Sequence, residues 1–263
     1  MIKLIVSDLD GTLLNSNGIL DDAFFELHKK LTDKKIVFCV ASGRQYYNLL
    51  HIFKSIAQDV FFVAENGTFV CYNNEVLYQK TLARNAVDEI LGIAKSIEGI
   101  YPVLCGTKSA YMEESSAGII SETAKYYAKL TMVKDFVSVT DDVLKVSILD
   151  LHGAEQNSLK FFQSLHHPTK VTLGGKVWID ISNEHANKGV AVSFLQSHLG
   201  IEANHTLVFG DYLNDLEMLS TAQYSYAMKN AHPEVINKAS FITEYTNDEA
   251  GVIKKVEELL LQL

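Results

Sequence analysis

Short apolar segments separated by polar turns dominate the first 82 residues. Residues 4–6, 36–41 and 60–64 are continuous apolar runs, and each ends at a turn that contains Asp, Ser, Asn or Gly. Runs of this length between turn signals predict buried strands. Between them lie two predicted helices, one that begins near Asp21 and Asp22 with Phe24, Leu27 and Leu31 facing inward, and one over residues 46–56. Strands that alternate with helices predict a parallel sheet covered on both faces.

A different pattern occupies the middle of the chain. Residues 69–72 and 76–78 flank Asn73 and Asn74, which predicts a hairpin, and from about residue 83 to residue 184 helices and strands are mixed. The elements predicted there are helices over 85–97, 121–130 and 155–165, strands over 101–105, 110–112 and 144–151, and a closing hairpin of 170–173 with 177–181. This block has enough apolar positions for its own core, so we expect a second domain inserted into the first.

The alternation of helices and strands resumes near residue 187. Its predicted elements are a helix over 187–198, a strand over 207–209, a helix over 216–219, a strand over 224–227 and an amphipathic helix over 250–261. The whole pattern predicts an α/β protein with a doubly wound, Rossmann-like parallel sheet. Residues 1–82 and 185–263 would form this core, and residues 83–184 would form an inserted α+β domain.

The amino-acid composition excludes some classes of binding partner for this protein. At 263 residues and 48% hydrophobic content, the chain can bury a sizeable core. A formal net charge of −9 without a basic block argues against a nucleic-acid surface, and no apolar run reaches the roughly 18 residues of a membrane span. The three cysteines match no zinc spacing and suit a reducing compartment, and Asp8 and Asp10 interrupt the apolar run that a signal peptide would need. We therefore expect a soluble cytoplasmic protein.

Polar turns follow the predicted strands at three places that the fold would bring together. They are Asp8-Leu9-Asp10, Ser42-Gly43, and Gly210-Asp211 with Asp215 shortly after. Because the carboxyl ends of parallel strands share one edge of a doubly wound sheet, we expect carboxylates, a hydroxyl and backbone N–H groups around one crevice. Ligands that offer only oxygen favour Mg²⁺ over zinc or copper.

These groups suit phosphoryl transfer. A cation beside a carboxylate offsets the repulsion between that carboxylate and an incoming phosphate, so an Asp can attack phosphorus. Lys188, at the start of a predicted helix, could hold the phosphoryl oxygens. Each feature alone has a plainer interpretation: an Asp beside Gly is a common turn, Ser42-Gly43 could begin a helix, and most lysines lie on the surface. Their combination favours a phosphate site with an Asp nucleophile.

Four motifs stand in order along the chain: DLDGT at 8–12, ASGR at 41–44, NKG at 187–189 and GDYLND at 210–215. A further motif, ENG at 65–67, follows the third predicted strand. Together they resemble the haloacid dehalogenase (HAD) superfamily, and within it the Cof-type phosphatases with an inserted α/β cap of type IIB. The resemblance covers the whole chain. It implies an Mg²⁺-dependent phosphatase that acts on small phosphate monoesters, sugar phosphates first among them.

The resemblance also implies the catalytic and metal-binding residues. Asp8 would attack the phosphate and form an aspartyl-phosphate. Asp10 would protonate the leaving oxygen and then activate the water that cleaves the intermediate. Mg²⁺ would be held by the Asp8 carboxylate, the Asp10 backbone carbonyl and the Asp211 carboxylate.

The remaining motif residues would hold the phosphate or support those that do. The phosphate-binding residues implied by the resemblance are Leu9, Ser42, Gly43, Lys188 and Asn214. Asp215 would orient Lys188 or a metal-bound water without being a ligand itself. Tyr212 departs from the family pattern, in which this position is often small or amide-bearing.

Alternative interpretations stay open for several residues and for the function. His166, His167 and His185 are expected at the surface, and Trp178, the only tryptophan, is expected in the core of the inserted domain or, alternatively, lining the substrate. Two other functions stay open: a phosphotransferase or mutase acting on sugar phosphates, and a non-catalytic phospho-ligand sensor. Asp10 argues against the sensor because it supplies the acid and base that turnover needs. The expected partner is a small phosphorylated metabolite, with no nucleic acid and no membrane, bound by a monomer or weak homodimer.

Overall fold

The computed structural model describes residues 1–261, and the chain forms two compact units. The first unit consists of Met1–Gly43, Ile52–Tyr78 and the chain from Asn187 onward, and the second consists of Arg44–His51 and Gln79–Ala186. The inserted domain that we predict at 83–184 lies inside the second unit. Residues 44–51 group with that unit because the side chains of Gln45 and Asn48 hydrogen-bond to backbone groups of Lys129 and Ala128.

The first unit is built on an eight-stranded sheet. Its strands are β1 Leu4–Asp8, β2 Val37–Ala41, β3 Val60–Ala64, β4 Phe69–Tyr72, β5 Glu75–Gln79, β12 Thr206–Gly210, β13 Tyr224–Ala227 and β14 Phe241–Ile242. Their spatial order is β14-β13-β12-β1-β2-β3-β4-β5. All neighbours from β14 to β3 are parallel, and β4 returns antiparallel to β3. The chain therefore winds outward from β1 in both directions, which confirms the predicted doubly wound α/β fold.

Apolar periodicity explains most elements of this unit. Its helices are α1 Ala23–Asp33, α6 Lys188–Leu199, α7 Leu216–Leu219, α8 Pro233–Lys238 and α9 Gly251–Leu261. On α1 the predicted residues Phe24, Leu27 and Leu31 are buried, as expected for positions that recur on one helix face. β1 and β3 are buried along their whole length, which is why they form continuous apolar runs rather than alternating ones.

Two short elements of the first unit were not predicted. α8 has six residues with only Val235 buried, so it shows almost no apolar periodicity. Its start is fixed locally instead, by Pro233 in the first turn and by His232, whose ring accepts a hydrogen bond from the Glu234 N–H. β14 has two residues, both exposed, so no alternation marks it.

The second unit is built on a six-stranded sheet. Its strands are β6 Ile100–Gly106, β7 Ala110–Glu113, β8 Leu130–Val133, β9 Val143–Asp150, β10 Thr169–Leu173 and β11 Trp178–Asn183, in the spatial order β10-β11-β9-β6-β7-β8. Its helices are α2 Tyr46–Ile52, α3 Arg84–Ala94, α4 Ala117–Ala124 and α5 Leu159–Phe162. Side chains of α3 and α5 share a core with one face of the sheet, and side chains of α4 and the chain after it share a second core with the other.

Several helices are shorter or differently placed than predicted. The helix expected over 46–56 ends at Ile52, and the one expected over 121–130 is α4, which ends at Ala124 before the unpredicted strand β8. The helix expected over 155–165 is only α5, because Asp150 accepts hydrogen bonds from the His152 N–H and the Asn157 amide and fixes a turn first. The closing hairpin of β10 and β11 is confirmed. Between residues 1 and 261 no helix combines the length and hydrophobicity that a membrane span requires.

Candidate active site

The two strands at the centre of the first sheet each end at or next to an aspartate, at the same edge of that sheet. Asp8 is the last residue of β1, and Asp211 directly follows β12. Because β1 and β12 are parallel neighbours, with Ser7 paired to Phe209, the two aspartates emerge side by side. Asp8 is buried and Asp211 partly so. The sheet register alone thus brings together two residues that are about 200 positions apart.

A buried lysine completes this group. The Lys188 ammonium donates to Asp8 Oδ1 at 2.5 Å and to Asp215 Oδ1 at 2.7 Å, and both Lys188 and Asp215 are almost fully buried. Burial by itself would lower the pKa of Lys188, but Asp215 and Asp8 together raise it above its ordinary value. Lys188 is therefore a permanent cation between two carboxylates.

Two local features place Lys188 there. The Asn187 side chain caps α6 by accepting a hydrogen bond from the Val190 N–H at 2.9 Å, so Lys188 is the first helical residue. Gly67, at a φ of +91°, packs directly under this helix start: a Cβ on Gly67 would lie only 2.2 Å from the Asn187 carbonyl oxygen. The turn over 65–67 therefore supports the backbone that carries Lys188.

Asp215 is a connecting residue within the site. Its Oδ1 accepts from Lys188, and its Oδ2 accepts from the backbone N–H groups of Asp211 and Tyr212 at 2.9 and 3.1 Å. Both oxygens are thus engaged by protein donors. This pattern agrees with a residue that orients its neighbours, as the sequence analysis expects of it.

Asp211 is held from the other side by the first motif. Thr12 Oγ1 donates to Asp211 Oδ1 at 2.7 Å, and Gly11, at a φ of +79°, leaves room for the carboxylate, since a Cβ there would lie 2.4 Å from Asp211 Oδ2. Burial raises the pKa of Asp211 above its ordinary value, and the hydrogen bond from Thr12 works against that rise. Burial and the Asp215 charge likewise raise the pKa of Asp8, which Lys188 opposes.

These carboxylates form a set that a divalent metal would fit. One oxygen each from Asp8, Asp211 and Asp215 lie within 4.8 Å of one another, and within residues 1–261 no other group of His, Cys, Asp and Glu does so. The donors are all oxygen, which suits Mg²⁺. Burial and the neighbouring carboxylates raise the pKa of Asp8 and of Asp211, and a dication beside them would favour their ionised forms. Since Asp215 is already engaged, Asp8 and Asp211 are the side chains that fit the metal.

A second cluster surrounds the end of β2. Ser42 is buried, and its carbonyl accepts from the Asn66 N–H at 3.0 Å. The Asn66 side chain lies against Gly43, where a Cβ would come within 3.0 Å of its amide atoms. Asn66 Oδ1 also accepts a hydrogen bond from Asn214 Nδ2 at 3.0 Å. Three of the predicted phosphate-binding residues, Ser42, Gly43 and Asn214, are therefore joined through Asn66.

The other predicted residues lie at the turn after β1 and at the rim. The Leu9 side chain is buried, and its carbonyl accepts from the N–H groups of Leu13 and Leu14, which closes the turn. Asp10 lies in this turn with an exposed side chain. Tyr212 is 58% exposed, with its ring 5.7 Å from that of His232 in an edge-on arrangement.

Sequence reasoning missed three asparagines that stabilise these loops. Asn66 stands in the ENG motif, which carried the resemblance but received no role. Asn230 donates to the Gly11 carbonyl at 2.8 Å, and Asn247 donates to the Leu14 carbonyl at 3.0 Å, so both brace the first motif. The position of Asn230 just past β13, at the carboxyl end of another parallel strand, was a signal that could have identified it.

The residues with structural interpretations lie outside this site. His166 is exposed and contacts Glu89, and His185 is exposed. Cys39, Cys71 and Cys105 are buried and form no disulfide with one another. Trp178 is 6% exposed and belongs to the core on the α4 face of the second sheet. The prediction that Trp178 is a core residue of the inserted domain is therefore confirmed.

Comparison with known proteins identifies the family of this chain. The profile of the haloacid dehalogenase-like hydrolases matches residues 5–256 of the chain. Among curated proteins, the 5-amino-6-(5-phospho-D-ribitylamino)uracil phosphatase YbjI of Escherichia coli (strain K12) is 29% identical over 98% of this chain and 96% of its own length.

Solved structures agree with this result. A protein of Streptococcus mutans UA159 is 29% identical and superposes with a TM-score of 0.86 over 99% of this chain and 100% of its own. A HAD subclass IIB sugar phosphatase has a TM-score of 0.82 over 98% of this chain and 99% of its own. At 18% identity, that second likeness bears on the fold alone.

Proposed function

The chain belongs to the haloacid dehalogenase-like hydrolase family and is a phosphatase of that family, and we propose that it hydrolyses small phosphate monoesters through an aspartyl-phosphate intermediate. The proposal rests on the group of Asp8, Lys188 and Asp211 at the carboxyl end of β1. In this group a buried ammonium contacts the Asp8 carboxylate, and an oxygen of Asp211 lies within 4.8 Å of one of Asp8, which supports Asp8 as the nucleophile of the proposal.

In the first step Asp8 attacks phosphorus. Lys188 holds Asp8 Oδ1, so Oδ2 is the oxygen that forms the new bond. As that bond forms, the bond between phosphorus and the leaving oxygen breaks, and Asp10 gives its proton to the leaving alcohol. Lys188 and Asn214, with Ser42 and the amides of Leu9 and Gly43, hold the phosphoryl oxygens as charge develops on them.

In the second step water cleaves the aspartyl-phosphate. Asp10, now ionised, takes a proton from the water, the water oxygen bonds to phosphorus, and the bond to Asp8 breaks. Inorganic phosphate leaves, and Asp8 returns as a carboxylate. Asp215 keeps Lys188 in place through both steps, because its two oxygens bind Lys188 and the loop after β12.

The proposed mechanism also includes a divalent metal ion at this site. The carboxylates of Asp8 and Asp211 and the carbonyl of Asp10 would hold Mg²⁺. Bound Mg²⁺ would supply positive charge that offsets the repulsion between Asp8 and the phosphate. Thr12 and Gly11 support this role by fixing the Asp211 carboxylate at the edge of the crevice.

The substrate class follows from the relatives and the domain architecture. The Escherichia coli relative acts on a phosphorylated ribityl compound by its name. We propose sugar and polyol phosphates for this chain as well, with the inserted unit acting as the cap that recognises the leaving group. We also propose a cytoplasmic location, which three buried cysteines outside any disulfide support, and a monomer or weak homodimer.

A phosphate-release assay tests the function. The purified protein is incubated with a panel of phosphate esters and Mg²⁺, without any acceptor other than water. Release of inorganic phosphate that stops with excess chelator is the expected result. Full activity in chelator would exclude the metal. Consumption of the donor ester only when a sugar acceptor is present, with the phosphoryl group recovered on that acceptor rather than as inorganic phosphate, would indicate a phosphotransferase instead.

A further inference from the structure

The turn that follows β1 is held by two asparagines from the far end of the chain. Asn230 Nδ2 donates to the Gly11 carbonyl at 2.8 Å, and Asn247 Nδ2 donates to the Leu14 carbonyl at 3.0 Å. The two asparagines are also joined to each other, because the Asn247 N–H donates to Asn230 Oδ1 at 3.0 Å. This asparagine pair therefore holds the turn at two points and closes a ring of hydrogen bonds with it.

The loop between β13 and α8 carries the first of these asparagines and is itself hydrogen-bonded to the loop after β12. The Met228 N–H donates to the Gly210 carbonyl at 3.0 Å, and the His232 N–H donates to the Asp211 carbonyl at 2.8 Å. Both ends of the Asn230 amide are engaged as well, one by the turn after β1 and one by the second asparagine. The Asn230 side chain is therefore fixed in direction although it is exposed.

Asp10 depends on this turn for its position more than Asp8 depends on its own surroundings. Asp8 is buried and contacts Lys188, whereas the Asp10 side chain is exposed. Because few atoms pack around an exposed side chain, its position is set mainly by its backbone. On one side of Asp10 is Leu9, whose carbonyl closes the turn, and on the other is Gly11, whose carbonyl the asparagine pair holds.

We propose that Asn230 and Asn247 are positioning residues for proton transfer by Asp10. The proposal rests on the phosphatase function proposed above. A carboxyl group that first donates and then accepts a proton has to stay within hydrogen-bond reach of the leaving oxygen and then of the water. A displacement of about 1 Å can lower the rate roughly 100-fold. Neither asparagine has to touch the substrate, because both act on Asp10 through the Gly11 and Leu14 carbonyls.

An amide is the side chain that position 230 requires. The Gly11 carbonyl needs a donor and the Asn247 N–H needs an acceptor, and a primary amide offers both. A carboxylate in place of Asn230 would keep the acceptor but would set a negative oxygen against the Gly11 carbonyl. Asn230→Asp therefore removes one hydrogen bond of the pair, and Asn230→Ala removes both.

The leaving-group dependence of turnover tests the proposal. For Asn230→Ala and Asn230→Asp, kcat is measured with ribitol 5-phosphate and with p-nitrophenyl phosphate, whose leaving group needs less protonation. We expect the ratio of the alkyl rate to the aryl rate to fall at least about fivefold in both variants. Asn237→Ala is the matched control, because Asn237 is also exposed and lies on α8, and it should keep the ratio within about twofold.

A double mutant separates the positioning of Asp10 from a general loss of structure. In an Asp10→Asn background the acid is absent, so Asn230→Ala should change the ratio by less than about twofold. An asparagine pair that only stabilised the fold would lower both rates alike in either background. A further fall of the ratio in the Asp10→Asn background would contradict a role that acts through Asp10.

Hydrogen exchange gives a readout that does not depend on turnover. The Leu13 and Leu14 N–H groups donate to the Leu9 carbonyl within the turn that the pair holds. We expect their exchange rates, followed by NMR, to rise at least about threefold in Asn230→Ala and to stay unchanged in Asn237→Ala. Unchanged exchange in Asn230→Ala would show that the asparagine pair does not fix the turn.

The outcomes distinguish this proposal from the function on which it rests. If the wild-type protein hydrolyses both esters and the folded Asn230 variants keep its ratio of rates, the phosphatase function stands and the positioning role is wrong. If the wild-type protein hydrolyses neither ester, the phosphatase function fails and the role of Asp10 fails with it, while the exchange rates still decide whether the asparagine pair fixes the turn.

Discussion

Lys188 lies between two carboxylates, and the chemistry of Asp8 depends on that position. Burial raises the pKa of Asp8, which would protonate the nucleophile, while the charge and hydrogen bond of Lys188 oppose this. The same ammonium fixes one oxygen of Asp8 and leaves the other for attack. Asp10, in contrast, is exposed in the turn that follows, which suits a group that must exchange protons with a leaving alcohol and with water.

The first residue-level prediction concerns Asp8. Asp8→Asn keeps the side-chain shape but removes the nucleophilic oxygen and a metal ligand. We expect turnover of any ester to fall at least about 10³-fold, or roughly 4 kcal/mol of barrier. Steady-state phosphate release measures this, with Asp33→Asn, an exposed residue at the end of α1, as the control. A variant that keeps a tenth of the wild-type rate would contradict the nucleophile assignment.

Asp10→Asn should separate substrates by leaving group. An alkyl phosphate needs a proton on its leaving oxygen, whereas an aryl phosphate departs with less help. We therefore expect the rate with ribitol 5-phosphate to fall at least about tenfold more than the rate with p-nitrophenyl phosphate. Parallel kcat measurements on the two esters decide the matter, and an equal loss on both would indicate a structural role for Asp10.

At the scale of elements, loops rather than strands determine how the site is aligned. The turn over 65–67 contacts three other segments: Asn66 bridges Gly43 and Asn214, and Gly67 supports the start of α6. Asn66, at a φ of +55°, adopts a backbone conformation that favours Asn and Gly. This turn therefore connects three segments of the site, namely Ser42-Gly43, the start of α6 that carries Lys188, and the loop after β12.

Gly67→Ala tests that link. Alanine at positive φ costs about 1–2 kcal/mol of stability, and the clash with the Asn187 carbonyl adds about 1–3 kcal/mol more. Gly175→Ala is the control, because Gly175 also has positive φ (+120°) but a Cβ there meets nothing within 4 Å. We expect Gly67→Ala to lower the thermal midpoint more than the control. Its kcat should also fall at least about tenfold, since Lys188 would be displaced.

Loss of stability without loss of turnover in the folded Gly67→Ala variant would show that this turn supports only the fold. The two measurements therefore have to be made on the same preparation, with circular dichroism for the thermal midpoint and phosphate release at a temperature where both variants are folded.

At the scale of the whole molecule, we expect catalysis and substrate recognition to belong to different units. The residues proposed for catalysis all lie in the first unit, and none of them distinguishes one ester from another. The second unit has its own sheet, with a hydrophobic core on each face. Substrate choice is therefore expected to depend on the inserted residues.

Replacement of residues 83–184 by a short Gly/Ser linker tests this division. We expect turnover of sugar phosphates to collapse while some hydrolysis of p-nitrophenyl phosphate survives, because the eight-stranded sheet and its site residues remain. Circular dichroism checks that the shortened chain folds. An unchanged substrate profile would place selectivity in the first unit.

Predictability from the sequence differed between regular and irregular elements. β1 and β3 were predicted because each contains a short continuous apolar run that ends at a polar turn, and α1 because its apolar side chains recur with the period of a helix. α5, β8 and β14 were misjudged because side-chain hydrogen bonds or sheet edges determine their ends, and neither leaves a periodic pattern. Asp8, Asp10, Ser42 and Asp211 were found because each follows a strand end, Lys188 because it begins a predicted helix, and the roles of all of them came from the resemblance of the motifs.

The sequence by itself determined the fold class, the family and the identity of the residues near Asp8, since strand periodicity and the order of polar turns are local properties of the chain. Tertiary structure alone decided how those residues pair. That Asp215 engages both Lys188 and the loop after β12, and that Asn66 joins Gly43 to Asn214, both depend on contacts between distant segments. Such contacts follow from sheet register and from close backbone approach at glycines, and neither quantity is encoded in the spacing of residues along the chain.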